Sequence, residues 1–249
     1  MSQLNSKLKE SRLITTLLQN TRVYQPTGPR LAKITPILEV ERKFMPTSAS
    51  ITRLRKNHGH PAFTSHIYLG RKVLKDIYLD TLYTPTTSES QFMRNGIYIR
   101  MRNGALEAKI RQSGDWTNTT SHEIAGKHAL DALVARTFPD TPVTFGDLSP
   151  IAWMRTLRDE WEIEGFNVAI DHTLFGDWMQ GMPKYPQKPH VVGEVELCQG
   201  AGEDVAAEDM ERRIEMFVEK YGWAFSKGEG KVVGKLVGFD EWVAKRSGK

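Results

Sequence analysis

The stretch Leu38-Glu39-Val40-Glu41-Arg42-Lys43-Phe44 puts Leu38, Val40 and Phe44 on one side and Glu39, Glu41 and Lys43 on the other. A period of two is the mark of a β-strand with two unlike faces. Three further runs repeat it. Ile97, Ile99 and Met101 oppose Tyr98, Arg100 and Arg102; Leu106, Ala108 and Ile110 oppose Glu107, Lys109 and Arg111; Val195 and Leu197 oppose Glu194 and Glu196. Taken singly, each is a half-buried strand with charges turned to solvent. The paired like charges change the reading. Glu39 and Glu41, Arg100 and Arg102, and Glu194 and Glu196 each stand about 7 Å apart on one face, and such neighbours repel unless a counter-charge lies between them. Carboxylate pairs suit a divalent cation and arginine pairs suit a phosphate chain. Collected in one closed sheet, these faces make a polar tunnel, and their apolar backs accept helices outside.

Working outward, alternating segments fall at about 36–45, 66–81, 95–103, 105–112, 117–125, 151–164, 166–172 and 190–198. Turn signals separate them: Asn95-Gly96, Asn103-Gly104, Ser113-Gly114-Asp115 and Glu164-Gly165. Asn103-Gly104 between two alternating runs is a hairpin signal. Helices are expected near 48–57, 126–136, 203–222 and 231–246, the third with an apolar stripe of Val205, Met210, Ile214, Phe217, Val218 and Tyr221. Residues 176–190, rich in Gly and Pro, read as a loop. The expected fold is α+β: an antiparallel eight-stranded β-barrel with a charged interior and helices packed outside. One domain is expected over 36–246, after a basic arm, 1–35.

The chain of 249 residues has a net charge of +4, but Lys7, Lys9, Arg12, Arg22, Arg30 and Lys33 stand against Glu10 alone in the arm. The arm therefore carries +5 and residues 36–249 carry −1, which removes the main support for a nucleic-acid surface on the folded part. The arm, with leucines at roughly helical spacing and few acids, reads as a mitochondrial transit segment or as a solvated or disordered tail. A cytoplasmic location is expected, or a mitochondrial one if the arm is a transit peptide. No apolar run approaches the ~18 residues of a membrane helix, and no membrane partner is expected. Cys198 is the single cysteine, so an internal disulfide and a Cys/His zinc site are both excluded.

The charged motifs resemble those of the CYTH superfamily, the triphosphate tunnel metalloenzymes, over about 34–240. Glu39-Val40-Glu41-Arg42-Lys43-Phe44 matches its ExExK signature. Asp76-Ile77-Tyr78-Leu79-Asp80-Thr81 resembles its Tyr-x-Asp-Thr strand, and Tyr98-Ile99-Arg100-Met101-Arg102 its aromatic-x-Arg-x-Arg strand. Lys109, Glu123, Arg158 and Lys231 follow in the family's order, and Gly193-Glu194-Val195-Glu196 matches its second ExE. Within the superfamily the chain is most similar to thiamine triphosphatases. It departs in one place: Ala169-Ile170-Asp171 lacks the first acid of a DxD strand.

The resemblance implies Mg²⁺ or Mn²⁺ held by Glu39, Glu41, Glu194 and Glu196, with Asp171 near, a set of hard oxygen donors suited to such ions. It implies phosphate contacts from Lys43, Arg100, Arg102, Lys109, Arg158 and Lys231. Glu39, Glu41 and Lys43 belong to the catalytic set, as does Glu123, which orients water or forms a salt bridge to a tunnel arginine. Tyr98 stacks on the organic end of the substrate or packs at the mouth. The expected reaction removes the terminal phosphate of thiamine triphosphate. Alternatives are an inorganic or nucleoside triphosphatase of the same fold, an adenylate cyclase, and a non-catalytic polyphosphate- or nucleotide-binding protein, which Ala169 favours. The partner is expected to be a small-molecule triphosphate, and the chain is expected to be a monomer.

Overall fold

A computed structural model describes residues 36–81, 91–115, 117–137, 144–176, 188–199, 205–226 and 232–246. Eight strands are present among them: β1 (Ile37–Phe44), β2 (His66–Thr81), β3 (Ile97–Arg102), β4 (Ala105–Gly114), β5 (Asn118–Ala125), β6 (Leu148–Ile163), β7 (Phe166–Gly176) and β8 (His190–Cys198). They close into an antiparallel barrel in the order β1-β5-β4-β3-β2-β6-β7-β8. Five helices accompany them: α1 (Ser48–Lys56), α2 (Gln91–Arg94), α3 (Lys127–Thr137), α4 (Ala207–Lys220) and α5 (Lys235–Arg246). None of the described helices is long and apolar enough to cross a membrane.

The expected barrel with outside helices is therefore present. Every expected strand and helix has its counterpart, with ends moved by a few residues. The four-residue α2 and the 3₁₀ turn Phe145–Asp147 were not anticipated, being too short to show a period. The arm 1–35 and most of the expected 176–190 loop lie outside the described residues.

Two turns fix the register. Asn103 and Gly104 both have positive φ (49° and 88°), as do Glu164 and Gly165 (51° and 84°). Each is a two-residue turn whose twist matches that of its strands, which sets Arg102 opposite Ala105 and Ile163 opposite Phe166. Since side chains alternate, the register sends Glu39, Glu41 and Lys43, Arg100 and Arg102, Lys109 and Arg111, and Glu194 and Glu196 to one surface of the sheet.

The apolar backs of β1, β7 and β8 (Val40, Phe44, Val168, Ile170, Val195, Leu197) pack under Met210, Ile214, Phe217 and Tyr221 of α4 and the turn after it. Leu79, Ile97, Ile99 and Ala108 pack under Leu130, Leu133 and Val134 of α3. A third cluster joins Ala152, Met154 and Phe175 to Phe239 and Trp242 of α5. Gly193 faces Phe44 so closely that a Cβ there would lie 2.2 Å from the ring, so the strand bearing Glu194 and Glu196 lies flat against that phenylalanine. Helix α1 opens with a reciprocal capping box between Thr47 and Ser50, at 2.9 and 3.0 Å, and ends on Asn57 in the left-handed region.

Candidate active site

The inner face of the barrel encloses a cavity of about 290 Å³. That is near the small end of ligand pockets, roughly 300–1,000 Å³, and suits a compact polar molecule. Glu39, Glu41 and Lys43 enter from β1, Glu194 and Glu196 from β8, Glu123 from β5 and Lys109 from β4. Tyr98, Arg100 and Arg102 enter from β3, Tyr78 from β2 and Arg158 from β6. Strand β3 stands four places from β8 in either direction round the ring, so the arginine pair faces the second carboxylate pair across the tunnel.

The acids meet where β1 pairs with β8. Glu41 lies opposite Glu196 in the register, and ligand oxygens of Glu39, Glu41 and Glu196 all lie within 4.8 Å of one another. Three carboxylates so close call for positive charge. Lys109 Nζ supplies some, donating to Glu39 Oε1 at 2.5 Å and Glu41 Oε2 at 2.6 Å, and Lys43 also pairs with Glu41. Burial pushes the Glu39 carboxyl up to about 9 against the pull of Lys109, with Glu196 and Glu41 adding repulsion. Glu196 is likewise pushed up to about 7, by burial first and by Glu194. Burial also works against the charge on Glu41, but Lys43 and Lys109 hold it at about 2. The cluster thus retains protons that a divalent cation would replace. Hard oxygen donors at this spacing fit such an ion, which Glu39, Glu41 and Glu196 would hold.

The cations are held by acids beside them. Arg102 donates to buried Asp76 through two bonds of 2.7 and 3.0 Å. Arg100 donates to Glu107 at 2.9 Å and lies 3.8 Å from Glu123. Arg158 makes two 2.7 Å bonds to Asp171 and a third, 2.8 Å, to Glu194. Lys235, at the start of α5, donates to Asp171 at 2.6 Å. Burial opposes the charge on Arg158, yet Asp171 and Glu194 keep its pKa well above the ordinary arginine value. Bidentate pairing fixes the Arg102 and Arg158 guanidinium groups in orientation before any anion arrives, and Glu107 holds that of Arg100 through one oxygen.

Most of the expected site residues thus line one cavity. Asp171 does not: it shares the inner face with Arg158, directly across from it, but is covered, with its oxygens occupied by Arg158 and Lys235. Glu194 lines the cavity but is engaged by Arg158 and lies outside the three-carboxylate group. Lys231 lies outside the described residues. Ala169, across from Glu194, puts a buried methyl where the family pattern has an acid. Several participants escaped the sequence reading. Lys235 opens a helix, where strand alternation says nothing. Asp76 and Glu107 are recognisable as anchors only through the pairing of Asp76 with Arg102 and of Glu107 with Arg100. Cys198 shares the face of Glu196 and also lines the cavity, so a soft donor stands beside the hard ones; its thiol is pushed up to about 12 by burial and by Glu39.

A closed eight-stranded barrel with acids and anchored cations lining one tunnel is the architecture of a polyanion-binding protein with a site for a cation. The model for the CYTH domain matches residues 38–222, and the chain belongs to that family. No curated protein sequence matches it. Among solved structures it is similar to the PH1819 protein of Pyrococcus horikoshii OT3, at 14% identity over 82% of this chain and 99% of that one, with a TM-score of 0.50. It is also similar to the putative adenylyl cyclase HpAC1 from Hippeastrum, described as having a dominant triphosphatase activity (16% identity, 85% and 96% covered, TM-score 0.43). A third is the Schizosaccharomyces pombe Pct1 RNA triphosphatase (11% identity, 88% and 93% covered, TM-score 0.36). The first supports the barrel fold.

Proposed function

We propose that this chain is a divalent-metal-dependent hydrolase of a triphosphate group, with inorganic or nucleoside triphosphate as its substrate class. One observation carries the reading: a single cavity gathers the Glu39/Glu41/Glu196 cluster and the cations Arg100, Arg102, Arg158 and Lys235. A divalent ion, when bound, neutralises phosphate oxygens and makes water a better nucleophile. The protein's own share is positioning and charge. Arg100 and Arg102, oriented by Glu107 and Asp76, grip the leaving diphosphate. Arg158 and Lys235, set by Asp171, hold the oxygens next to the cleaved bond. In this reading Asp171 is an anchor for cations. Glu123, 3.8 Å from Arg100, orients either the attacking water or Arg100 itself. Water attacks the terminal phosphorus, the bond to the bridging oxygen breaks, and phosphate and diphosphate leave.

The narrower expectation of thiamine triphosphate rests on the residue motifs and on Tyr98, which lines the cavity. The family match and the named structures do not bear on thiamine. The test is phosphate release from inorganic triphosphate, ATP and thiamine triphosphate, side by side, with Mg²⁺, Mn²⁺ or EDTA. Turnover of the first two, lost in EDTA, is expected. A large kcat/KM preference for thiamine triphosphate would restore the narrower reading and make Tyr98 the next residue to change. Absence of release with every metal would overturn the hydrolase reading in favour of a binding protein.

A further inference from the structure

Strand β2 is paired along its whole length with β6 but meets β3 only over Asp76–Leu79. At Lys75 the β3–β4 turn ends the second ladder: Asn103 N–H donates to the Lys75 carbonyl at 3.0 Å, and the Asn103 side chain accepts from Lys75 N–H at 2.9 Å. The odd-numbered backbone groups there point away from β6, so those of Val73 and Arg71 do too; the Val73 carbonyl accepts from Asn103 Nδ2 at 3.3 Å, which leaves the Val73 N–H and both groups of Arg71 for a new strand. Among the described residues no strand lies along 66–74 on that side. The edge is also apolar where it is bare. Ile67, Tyr68 and Leu69 are about half exposed, and Val73 (43%) sits directly across from Leu157 (42%) on the outer surface.

Its charge is one-sided. From Phe44 to Lys75 the chain has no Asp or Glu, but carries Arg53, Arg55, Lys56, Arg71, Lys72 and Lys75, of which Lys72 pairs with Glu160 on the inner face. Arg155, across from Lys75, adds another exposed cation. The one acid on this outer face of the β2–β6 pair, Asp159, is buried and saturated. It accepts from Arg55 at 2.7 Å, from Arg71 twice at 2.9 Å and from Tyr68 Oη at 2.8 Å. Lys and Arg along an edge deter a second copy of the same strand, because identical charges would meet. They repel the +5 arm for the same reason. They do not deter an acidic strand.

We infer that the free edge of β2, residues 66–75, docks an extended acidic segment of another protein by strand addition. Its backbone completes the ladder at both groups of Arg71 and at the N–H of Val73, its aliphatic side chains cover Val73 and Leu157, and its carboxylates meet Lys75 and Arg155. The site lies on the outer surface and is separate from the tunnel.

The probe is a dye-labelled synthetic peptide alternating Glu and Val, titrated into the full chain by fluorescence anisotropy, with hydrogen exchange read at the 66–75 amides. Binding, slower exchange at Arg71 and Val73, and weakening in high salt are expected. The double reversal Lys75→Glu/Arg155→Glu alters two exposed cations and should weaken binding roughly tenfold or more. Val73→Pro removes an outward N–H without touching the β6 ladder and should do the same, with thermal unfolding confirming that the variant is folded. Four outcomes overturn the proposal: no binding at low salt; equal binding by the charge-reversed chain; displacement of the peptide by inorganic triphosphate, which would place it in the tunnel; and edge amides already protected without peptide. In the last case a dimer in sedimentation assigns the edge to a second copy. Loss of that protection on removing residues 1–35 assigns it to the arm.

Discussion

At the scale of residues, the decisive contacts are those of carboxylates that differ only in what stands beside them. Glu41 and Glu39 are two positions apart on one strand, yet Glu41 is held at about 2 and Glu39 is pushed up to about 9. Two lysines serve Glu41, whereas Glu39 shares one with it and meets more repulsion. Glu41→Gln should therefore lower metal-dependent turnover by on the order of 10²-fold or more while the fold survives, because Lys109 keeps Glu39. Steady-state kinetics at limiting Mg²⁺ check this; wild-type turnover would remove Glu41 from the cation site. Arg100→Ala should raise KM and lower kcat together if its guanidinium, which lines the cavity, holds the phosphates as proposed. Unchanged kinetics would put Arg100 outside the phosphate contacts.

The same shifts fix a pH dependence. Glu39 and Glu196 bind protons more tightly in the folded chain than the ordinary carboxylate, up to about 9 and about 7. Between the ordinary carboxylate value, about 4.5, and 9 the folded state holds more protons than the unfolded state, so their contribution to metal-free stability falls as pH rises. A divalent ion bound there would replace those protons, and its stabilisation would grow in the same direction. Melting curves with and without Mg²⁺ should show a larger increment at pH 9 than at pH 6. A pH-independent increment would separate these two carboxylates from the metal.

At the scale of elements, the strands were legible because alternation survives any packing: the residue that faces the tunnel is every second one. The Asn103-Gly104 and Glu164-Gly165 turns then set which residues stand side by side. Partners across strands were not legible. Nothing local to Asp76 says that Arg102 will lie opposite it, and nothing in a helix-opening lysine says that Lys235 will reach Asp171. The acid missing at Ala169 was visible in the sequence; the use of its neighbour Asp171 to brace Arg158 and Lys235 depends on the sheet and on α5 coming together. Gly193 shows how tightly elements fit. Gly193→Ala should destabilise the barrel by about 1–3 kcal/mol through the clash with Phe44, and Phe44→Leu should recover part of that loss. Denaturant unfolding of the two single variants and the double variant measures the coupling; strictly additive effects would deny the contact.

At the scale of the whole molecule, the cavity is nearly balanced, with seven Lys or Arg and six Asp or Glu among its lining residues. A triphosphate alone tips that balance far to the negative and a divalent ion alone tips it positive, so the two should bind with positive coupling. Calorimetry should find triphosphate tighter with Mg²⁺ than with EDTA, and Mg²⁺ tighter with triphosphate by the same factor. Independent affinities would mean that the two ligands do not share the tunnel.

Lys109 has a consequence of its own. With its ammonium already lodged between Glu39 and Glu41, the barrel carries a built-in understudy for the metal. That pairing gives both carboxylates a counter-charge from the chain itself, unlike small domains knit together by zinc. On the proposed function, a shortage of the divalent ion would silence this protein without unmaking it, and activity would return with the ion, with no new synthesis required.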